Sequence, residues 1–589
     1  MTDRLSSLRS IMKQQSIDAY ILPLGDPHQS EYPASYWKGL QWISGFTGSA
    51  GTVVISHDHA GLWTDSRYFI QAEQELAHNP FVLHKMDGQR SPSFVDWCAE
   101  ALGESAVVAV DGPMISLAQK SRYSSQLSRK GLTLKLTEDL IGAIWTDRPP
   151  IPVDEVFVHA EKYHGEPTSS KLARIREEMQ QQGATAHLIT TLDDIAWLTN
   201  LRGRDVKCNP VFVAHCIVQT DKVLLFIQPG KVSTPIKEAL LQDGIHILPY
   251  DSLVEHLGAL TTADKLLIHE GTLNVQLKEA ISSQATTLSG SLIPRHLKAI
   301  KNSTEIGHLE SVHVKDAIAL THAFMWLEHT LTERTVTEYE YAAKIAECRG
   351  EREGYFGESF SAIVGYRGNG AIVHYRPELD SSAEISREGI LLVDSGGQYQ
   401  DGTTDITRTI ALSAPSDAEK RAYTRVLQGH ISLATAVFPE GTTGGQLDAL
   451  ARQHLWRDGL NYGHGTGHGV GFFLNVHEPP QGFAPGLAGR AASVIKEGMF
   501  TSNEPGHYVA DAYGIRIENL ILCEKAQQDG FLQFRTITYF PIDTTLVDFS
   551  LTKAEVAWLN EYHDMVKEKL TPHLDDNQKR WMEDKCKRV

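Results

Sequence analysis

The chain is poor in cysteine and contains no long apolar run. Its 589 residues include six cysteines, scattered without a CxxC pair or a short regular spacing. Thiols of this kind are typically reduced and buried, and they do not form a disulfide framework. No stretch approaches the roughly 18 apolar residues of a membrane-spanning helix, and the N-terminal segment is amphipathic, without the apolar core of a signal peptide. We therefore expect a cytoplasmic protein that does not span a membrane.

An excess of positive charge is also absent. The chain has 55 Lys and Arg against 73 Asp and Glu, which gives a formal net charge of −18 at pH 7. Such a chain attracts neither nucleic acid nor an anionic membrane, so we expect neither as a partner. Hydrophobic residues at 41% and charged residues at 22% are ordinary for a soluble globular protein. The length exceeds what one hydrophobic core usually organises, and several domains are expected.

The first half of the chain contains an internal repeat. In two segments, apolar residues three and four apart indicate a helix that leads into a short strand. The matching positions are Leu5, Leu8, Arg9, Met12, Gln15, Ala19 and Ile21 in one copy and Leu172, Ile175, Arg176, Met179, Gln182, Ala186 and Leu188 in the other. A Trp and a Gly then recur together in segments 42–48 and 197–203. This pattern predicts a duplicated α/β domain, and chance similarity of two helix starts is the alternative.

Three domains are predicted. Prolines between 149 and 152 prevent regular structure and indicate a stiff linker between the two copies. A second boundary lies near 300, where Asn302 resembles the N-cap of a long helix with Glu305 in its first turn. We predict an α/β (α+β) fold with domains at 1–155, 156–300 and 301–589, of which the last holds every candidate ligand.

A further capping box, Thr552 with Glu555, predicts a helix near the C-terminus. The apolar positions of this helix are Val556, Leu559, Tyr562 and Val566. We expect this stripe to pack in the core, and a subunit contact is the alternative.

Two aspartates stand at predicted strands of the third domain. Asp394 closes the apolar run 390–393, and Asp405 lies inside the alternating run 404–410, after an Asp-Gly turn dipeptide. A hairpin would bring the two side chains together. Because adjacent carboxylates repel each other unless a cation lies between them, the pair indicates a metal site.

Two glutamates follow downstream. Glu504 precedes Pro505 and Gly506, which end a strand and turn the chain. Glu518 shares one strand face with Arg516, because side chains alternate along a strand. A buried glutamate requires compensation, so a structural salt bridge with Arg516 is the alternative to metal binding for Glu518.

Four of the 26 histidines are candidates for the same site: His374, His464, His468 and His477. His464 and His468 lie in a run with glycines at 463, 465, 467 and 469. So many glycines make a zinc-binding helix with an i, i+4 histidine pair unexpected. They permit close backbone approach, so a loop or irregular strand would direct both imidazoles into one cleft.

Two aspartates, one histidine and two glutamates can hold a pair of divalent metal ions. Four carboxylates against two divalent cations leave a nearly neutral cage. Oxygen ligands with one nitrogen and no thiolate favour Mn²⁺, with Co²⁺ or Zn²⁺ as alternatives. Two ions about 3.5–4 Å apart can share a hydroxide and deliver it to a carbonyl that one of them polarises.

These residues and their surroundings resemble the pita-bread metallopeptidases, a family that includes methionine aminopeptidase, prolidase and aminopeptidase P. The five family ligands match in order and spacing at Asp394, Asp405, His468, Glu504 and Glu518. The surrounding motifs are most similar to the cytosolic, three-domain form of aminopeptidase P (Xaa-Pro aminopeptidase). They lie at 44–51, 63–69, 200–203, 209–212, 394–396, 401–409, 464–471 and 475–478. The resemblance implies two creatinase-like α/β domains followed by a pita-bread catalytic domain.

The resemblance also implies roles for the ligands. Asp394 and Asp405 would bind one ion, and Asp405 and Glu518 would reach both. His468 and Glu504 would complete the other ion, and Glu504 would act as general base on the bridging water.

Further roles follow from the same resemblance. His374 and His477 would contact the substrate and the tetrahedral intermediate, and His464 would line the proline-side pocket. Arg516 would hold a ligand in position. Asn503 and His507 stand where acidic and aromatic residues are often seen in the family.

The implied reaction removes the first residue from a peptide whose second residue is proline. It would use a hydroxide activated between the two ions, and the protein would be a homodimer. An acidic site suits a free N-terminal amine, and the imide of an Xaa-Pro bond has no N–H for an ordinary protease to bind. The alternatives are a prolidase, which accepts only Xaa-Pro dipeptides, and a peptide-binding pseudoenzyme on the same fold. The duplication favours the enzyme that accepts longer peptides.

Overall fold

The computed structural model describes residues 2–86 and 92–589, and the chain forms two compact units. The first unit is Met1–Val158 with Glu166–Pro294, and the second is His159–Gly165 with Arg295–Val589. No helix in the described residues has both the length and the apolar character that a membrane crossing requires. Within the same residues no disulfide joins two cysteines, and five of the six cysteines are buried, as the sequence predicts.

The N-terminal half of the first unit contains one mixed sheet. Its strands are β1 (Ala19–Pro23), β2 (Thr52–Ser56), β3 (Ala60–Thr64), β4 (Val82–Lys85), β5 (Val107–Asp111) and β6 (Thr133–Thr137). In the described residues their order is β4-β3-β2-β1-β5-β6. The pairs β1–β2 and β2–β3 are antiparallel, whereas β3–β4, β1–β5 and β5–β6 are parallel. Both faces carry buried apolar clusters, as a sheet covered by helices requires.

The second half of this unit repeats the same sheet. Its short strands β7 (Phe157–Val158) and β9 (Leu201–Arg202) form a separate pair. The main strands are β8 (Ala186–Ile189), β10 (Ala214–Gln219), β11 (Val223–Ile227), β12 (Ile245–Pro249), β13 (Lys265–Ile268) and β14 (Thr286–Ser289). Their order, β12-β11-β10-β8-β13-β14, and every strand direction correspond to the first sheet. The predicted duplication is therefore confirmed by topology.

The helices of the first unit follow the repeat. They are α1 (Thr2–Gln14), α2 (Gly39–Ser44), α3 (Phe69–Leu76), α4 (Phe94–Ala101), α5 (Leu117–Ser128), α7 (Thr168–Gln181), α8 (Leu192–Thr199), α9 (Thr234–Gln242), α10 (Leu253–Gly258) and α11 (Val275–Ala280). α1 buries Leu5, Leu8 and Met12, and α7 buries Leu172, Ile175 and Met179 at the same spacing. The short α6 (Glu161–His164) belongs to the second unit, and α12 (Ile293–Ala299) contains the boundary. The predicted domain boundaries at 155/156 and 300/301 stay a prediction.

The second unit contains antiparallel sheets and long helices. Its strands are β15 (Val336–Thr337), β16 (Tyr355–Glu358), β17 (Ile363–Tyr366), β18 (Glu384–Ile385), β19 (Ile390–Ser395), β20 (Gly397–Tyr399), β21 (Gly402–Thr403), β22 (Ile406–Ala411), β23 (Val437–Pro439), β24 (Gly467–Gly469), β25 (Glu478–Phe483), β26 (Phe500–Asn503), β27 (Gly506–Val509), β28 (Tyr513–Arg516), β29 (Asn519–Lys525) and β30 (Phe531–Thr536). Two sheets position the site, β17-β19-β22 and β23-β30-β29-β26-β24-β25.

The helices of this unit are α13 (Ser303–Thr330), α14 (Glu338–Gly350), α15 (Asp417–Ala434), α16 (Gly444–Arg457), α17 (Lys553–Leu570) and α18 (Asp576–Lys585). Asn302 is the N-cap of α13, as predicted, and it forms a capping box with Glu305. Thr552 and Glu555 form the predicted capping box of α17. In α17 the side chains of Leu559, Tyr562 and Val566 are buried in the core of the unit. The expectation of a core stripe is therefore confirmed for these three residues, whereas Val556 is half-buried.

Candidate metal centre

The two candidate aspartates stand on neighbouring segments of one sheet. β19 and β22 are antiparallel, with Asp394 opposite Thr407 and Ser395 opposite Ile406. The alternating pattern predicts Asp405 within a strand, and this prediction is wrong: Asp405 lies immediately before Ile406, the first residue of β22. Because the strands meet in this register, both carboxylates come to the same end of the sheet. Asp394 and Asp405 are buried.

Glycines bring His468 and Glu504 onto adjacent backbones. His468 is the middle residue of β24, and a Cβ at Gly467 would lie 1.9 Å from the carbonyl oxygen of Ser502. Only glycine permits so close an approach, so the irregular strand predicted for this run is confirmed. Glu504 follows β26 directly, and its backbone N–H donates to the carbonyl of Thr466 at 2.8 Å.

Glu518 lies between two strands, after β28 and before β29. Its backbone N–H donates to the carbonyl of Thr407 at 3.1 Å, and the hydroxyl of Thr407 donates to Glu518 Oε2 at 2.8 Å. The glutamate is thus held from both its backbone and its side chain by the strand that follows Asp405. Its side chain is 1% exposed.

The candidate ligands converge. Single ligand atoms of Asp405, His468 and Glu518 all lie within 4.8 Å of one another. His468 Nε2 is 3.5 Å from Asp405 Oδ2 and 3.3 Å from Glu504 Oε1. Glu504 Oε1 also accepts a hydrogen bond from Ser502 Oγ at 3.0 Å. Three carboxylates and one imidazole therefore share one small volume.

The electrostatics of this volume are those of crowded acids. Burial raises the pKa of each of the four carboxyl groups, most strongly that of Glu518, and their mutual repulsion raises them further. Burial alone would lower the pKa of His468, but Asp405 and Glu504 outweigh burial and raise it. A protein gains no stability from assembling buried acids, so the cluster indicates a function.

The residues fit divalent cations. Asp394 Oδ1 is buried and has no hydrogen-bond partner in the described part of the chain. A buried carboxylate oxygen of this kind requires a cation or a proton. The donor set of four carboxylates and one imidazole, without thiolate, is one that suits Mn²⁺.

Arg516 pairs with Asp394. Its Nη2 donates to Asp394 Oδ2 at 2.5 Å, and the same nitrogen donates to the carbonyl of Val373 at 3.4 Å. Strand alternation offered a salt bridge between Arg516 and Glu518 as the alternative to metal binding. That alternative is wrong, because the guanidinium of Arg516 pairs with Asp394 on β19. Arg516 Nη1 donates to the hydroxyl of Tyr508 at 2.7 Å.

The remaining histidines lie around this centre. His464 Nε2 is 2.8 Å from the hydroxyl of Tyr508, which also accepts a hydrogen bond from Arg516. The ring of His477 lies 4.2 Å from that of His468, centroid to centroid, at 68°. His374 follows Val373, whose carbonyl accepts from Arg516, in a half-buried turn. The role of His374 in substrate contact stays a prediction.

Two residues that hold side chains of the centre in place were not predicted from the sequence. Tyr508 connects His464 with Arg516, and Thr407 holds the carboxylate of Glu518. Thr407 stands two residues after Asp405, and Tyr508 stands two residues after Gly506, the turn residue that follows Glu504 and Pro505. Alternation along β22 and β27 is the signal that could have identified both.

Four family models match the chain. Metallopeptidase family M24 matches residues 308–525, and the C-terminal region of peptidase M24 matches 530–589. Two models of the creatinase/prolidase N-terminal domain match 4–143 and 147–305. The candidate ligands all fall within the first of these matches.

Named relatives are similar over nearly the whole length. A probable Xaa-Pro aminopeptidase P of Laccaria bicolor is 41% identical and covers 99% of this chain and 93% of its own. Aminopeptidase P2 of Arabidopsis thaliana is 40% identical over 97% of this chain and 86% of its own. The crystal structure of X-prolyl aminopeptidase from Caenorhabditis elegans, a cytosolic enzyme with a di-nuclear active site, is 33% identical with a TM-score of 0.95. That match covers 100% of this chain and 99% of the other.

Proposed function

The chain belongs to metallopeptidase family M24, and from that membership we propose that it is an Xaa-Pro aminopeptidase. It would remove the first residue from peptides whose second residue is proline. The observation that carries the proposal is the convergence of Asp405, His468 and Glu518 within 4.8 Å, beside Glu504 and the Arg516–Asp394 pair. The names and full-length similarity of the relatives support it.

Two divalent ions would be held by Asp394, Asp405, His468, Glu504 and Glu518. Mn²⁺ suits these ligands, and Co²⁺ or Zn²⁺ are the alternatives. When bound, such ions polarise a carbonyl oxygen and lower the pKa of water. The C. elegans relative has a di-nuclear active site, which supports two ions here.

The side chains around the ions supply proton transfer and orientation. Glu504 is the proposed general base, a role that the resemblance to the pita-bread metallopeptidases implies and that its place beside His468 and Asp405 supports. His477 and His374 would donate to the negative charge that develops on the scissile carbonyl. Arg516 would orient Asp394 by their 2.5 Å hydrogen bond.

His464 and Tyr508 would form the wall of the proline-side pocket. Burial raises the pKa of Tyr508 to about 12, although Arg516 opposes this shift, so the phenol stays protonated at neutral pH. Because Arg516 Nη1 only donates, Tyr508 can give its own proton to His464 Nε2. The two side chains thereby hold each other's orientation. A wall of this kind needs no substrate N–H, which an Xaa-Pro bond lacks.

Hydrolysis of Xaa-Pro dipeptides alone is the second candidate. An Xaa-Pro dipeptidase from Bacillus anthracis has a TM-score of 0.51 and 26% identity, and that match covers 64% of this chain. The duplicated N-terminal sheet and the full-length similarity to aminopeptidases favour the longer substrates. We also propose a cytoplasmic location, supported by the cytosolic C. elegans relative. A homodimer is part of the same proposal, and sedimentation velocity tests it.

A cleavage assay on metal-stripped protein tests the activity. Mn²⁺, Co²⁺ or Zn²⁺ is restored in turn, and release of the first residue is followed for Xaa-Pro dipeptides, Arg-Pro-Pro and longer Xaa-Pro peptides. The proposal predicts no turnover without metal and turnover of tripeptides and longer peptides with Mn²⁺. Glu504→Ala should abolish turnover, whereas Glu568→Ala, at an exposed position of α17, should not change it. Cleavage of dipeptides alone would establish the dipeptidase, and an inert metal-loaded protein would refute both candidates.

A further inference from the structure

A buried polar network joins the backbone of the metal centre to the C-terminal helix α17. Its centre is Arg408 on β22, which is 2% exposed. The guanidinium donates to six oxygens at 2.6–2.9 Å. They are the carbonyls of Thr407, Glu518, Phe540 and Pro541, the side-chain oxygen of Asn519 and the hydroxyl of Tyr562. Every donor of Arg408 is thereby used.

Arg408 is a buried cation with neutral acceptors. None of its six partners is a carboxylate, and in residues 2–86 and 92–589 no acid forms an ion pair with it. A buried charge requires compensation, and here the dipoles of neutral oxygens supply it. Arg408 bonds the carbonyl of Glu518, and the adjacent Thr407 bonds its carboxylate at 2.8 Å. The compensation of Arg408 therefore also fixes the backbone of one candidate ligand.

The network also reaches the strand that carries Glu504. Asn519 Nδ2 is 3.1 Å from His430 Nε2, and His430 Nδ1 is 3.1 Å from the carbonyl of Asn503. Because a carbonyl only accepts, Nδ1 carries the proton and Nε2 accepts from Asn519. The amide of Asn503 donates to the carbonyl of His430 at 2.9 Å. Asn503 and Asn519, which directly adjoin the two candidate glutamate ligands, are thus held by one neutral imidazole.

Helix α17 supports the network at two points. The hydroxyl of Tyr562 accepts from Arg408 at 2.9 Å and donates toward the carbonyl of Phe540, also at 2.9 Å. Its ring stacks on Trp558 with centroids 5.4 Å apart and planes at 2°. Trp558 in turn contacts the ring of His430, with centroids 5.9 Å apart. The helix therefore contacts both the Arg408 end and the His430 end.

We propose that Arg408 and Tyr562 are positioning residues of the metal centre. They hold the backbone of Glu518 and, through Asn519 and His430, that of Glu504 in the arrangement that divalent cations require. Helix α17 would then contribute to metal binding through Tyr562, besides packing in the core of the second unit. This inference rests on the proposed function, since it assumes that the carboxylates bind divalent ions.

The test replaces Tyr562 by phenylalanine, which removes one buried hydroxyl and leaves the ring. Tyr341→Phe is the matched control, because the buried hydroxyl of Tyr341 has no hydrogen-bond partner within the described residues. For each metal-stripped protein, the Kd of Mn²⁺ is measured by isothermal titration calorimetry, and the thermal midpoint is measured without metal. We expect Tyr562→Phe to raise the Kd of Mn²⁺ roughly tenfold and the control to leave it unchanged.

A second variant separates charge from geometry. Arg408→Lys keeps the positive charge but has three donors on one nitrogen in place of a planar fork. We expect it to raise the Kd of Mn²⁺ by more than Tyr562→Phe does. Since both residues act in one network, the double variant should weaken binding by less than the product of the two single effects.

The measurements distinguish a failure of the proposed function from a failure of this inference. An unmodified chain that binds no Mn²⁺ would refute the proposed function itself. Normal Mn²⁺ binding in both single variants, with only the metal-free midpoint lowered, would overturn the inference alone, because the network would then be merely structural. A raised Kd of Mn²⁺ in Tyr562→Phe, together with an unchanged Kd in Tyr341→Phe, would support the positioning role.

Discussion

Replacing Glu518 by glutamine should stabilise the metal-free protein and remove its stabilisation by metal. The ligand atoms of Asp405, His468 and Glu518 lie within 4.8 Å of one another. Two full negative charges at such a separation repel by about 3–4 kcal/mol at an effective dielectric constant of about 20. Burial raises the pKa of Glu518 well above its usual value, so this group is partly protonated without metal and the full repulsion is not present. We expect a net gain of about 1–2 kcal/mol.

The substitution leaves the local packing in place. Glutamine has the same shape, and its amide oxygen can accept the 2.8 Å hydrogen bond that Thr407 donates to the carboxylate. The amide cannot compensate a divalent cation as a carboxylate does. The variant should therefore lose the rise in thermal midpoint that metal binding produces.

Differential scanning calorimetry of metal-stripped protein, with and without Mn²⁺, measures both effects. A gain of 1–2 kcal/mol corresponds to an increase of roughly 2–6 °C in the midpoint of the catalytic unit. Glu568→Gln, at an exposed position of α17, is the control and should leave both midpoints unchanged. A lower metal-free midpoint for Glu518→Gln, or an undiminished response to Mn²⁺, would refute the reasoning.

Three further predictions follow from the same contacts. Because the folded-state pKa of Glu518 is raised, its stabilising effect is present below the unfolded pKa of about 4.3 and is lost as the pH rises. The midpoint advantage of metal-free Glu518→Gln should therefore grow as the pH rises above about 4, and a constant difference in a pH series would contradict this. Arg516→Lys loses the planar guanidinium whose Nη2 donates to Asp394, so the variant should bind Mn²⁺ about 10–100-fold more weakly in calorimetric titration. An unaltered affinity for Mn²⁺ would count against this role of Arg516. Glu478→Gln leaves the buried ammonium groups of Lys298 and Lys301 without their carboxylate and should destabilise the protein by about 3–5 kcal/mol in thermal unfolding, which an unshifted midpoint would disprove.

Local sequence signals were sufficient for two helices of the second unit, for the repeated sheets of the first unit and for the backbone approach beside His468. Capping residues at Asn302 and Thr552 predict where α13 and α17 begin, because a helix start is fixed by hydrogen bonds within four residues. The repeated helix predicts two similar sheets, since the same buried positions select the same packing. The glycines beside His468 predict a close backbone approach, and Gly467 meets Ser502.

Long-range register was not predictable from local pattern. Alternation along β28 suggests that Arg516 compensates Glu518, whereas the guanidinium contacts Asp394 on another strand. Asp405 and Glu518 lie just outside strands, where the chain is free to turn their carboxylates inward. Most acceptors of Arg408 are backbone carbonyls, which every residue has, so no side-chain pattern indicates that network.

Anomalous diffraction from crystals grown with Mn²⁺ tests the central claim most directly. The account predicts two manganese peaks per chain, enclosed by Asp394, Asp405, His468, Glu504 and Glu518. A single peak, or peaks bound by other residues while these five side chains remain without metal, would contradict it.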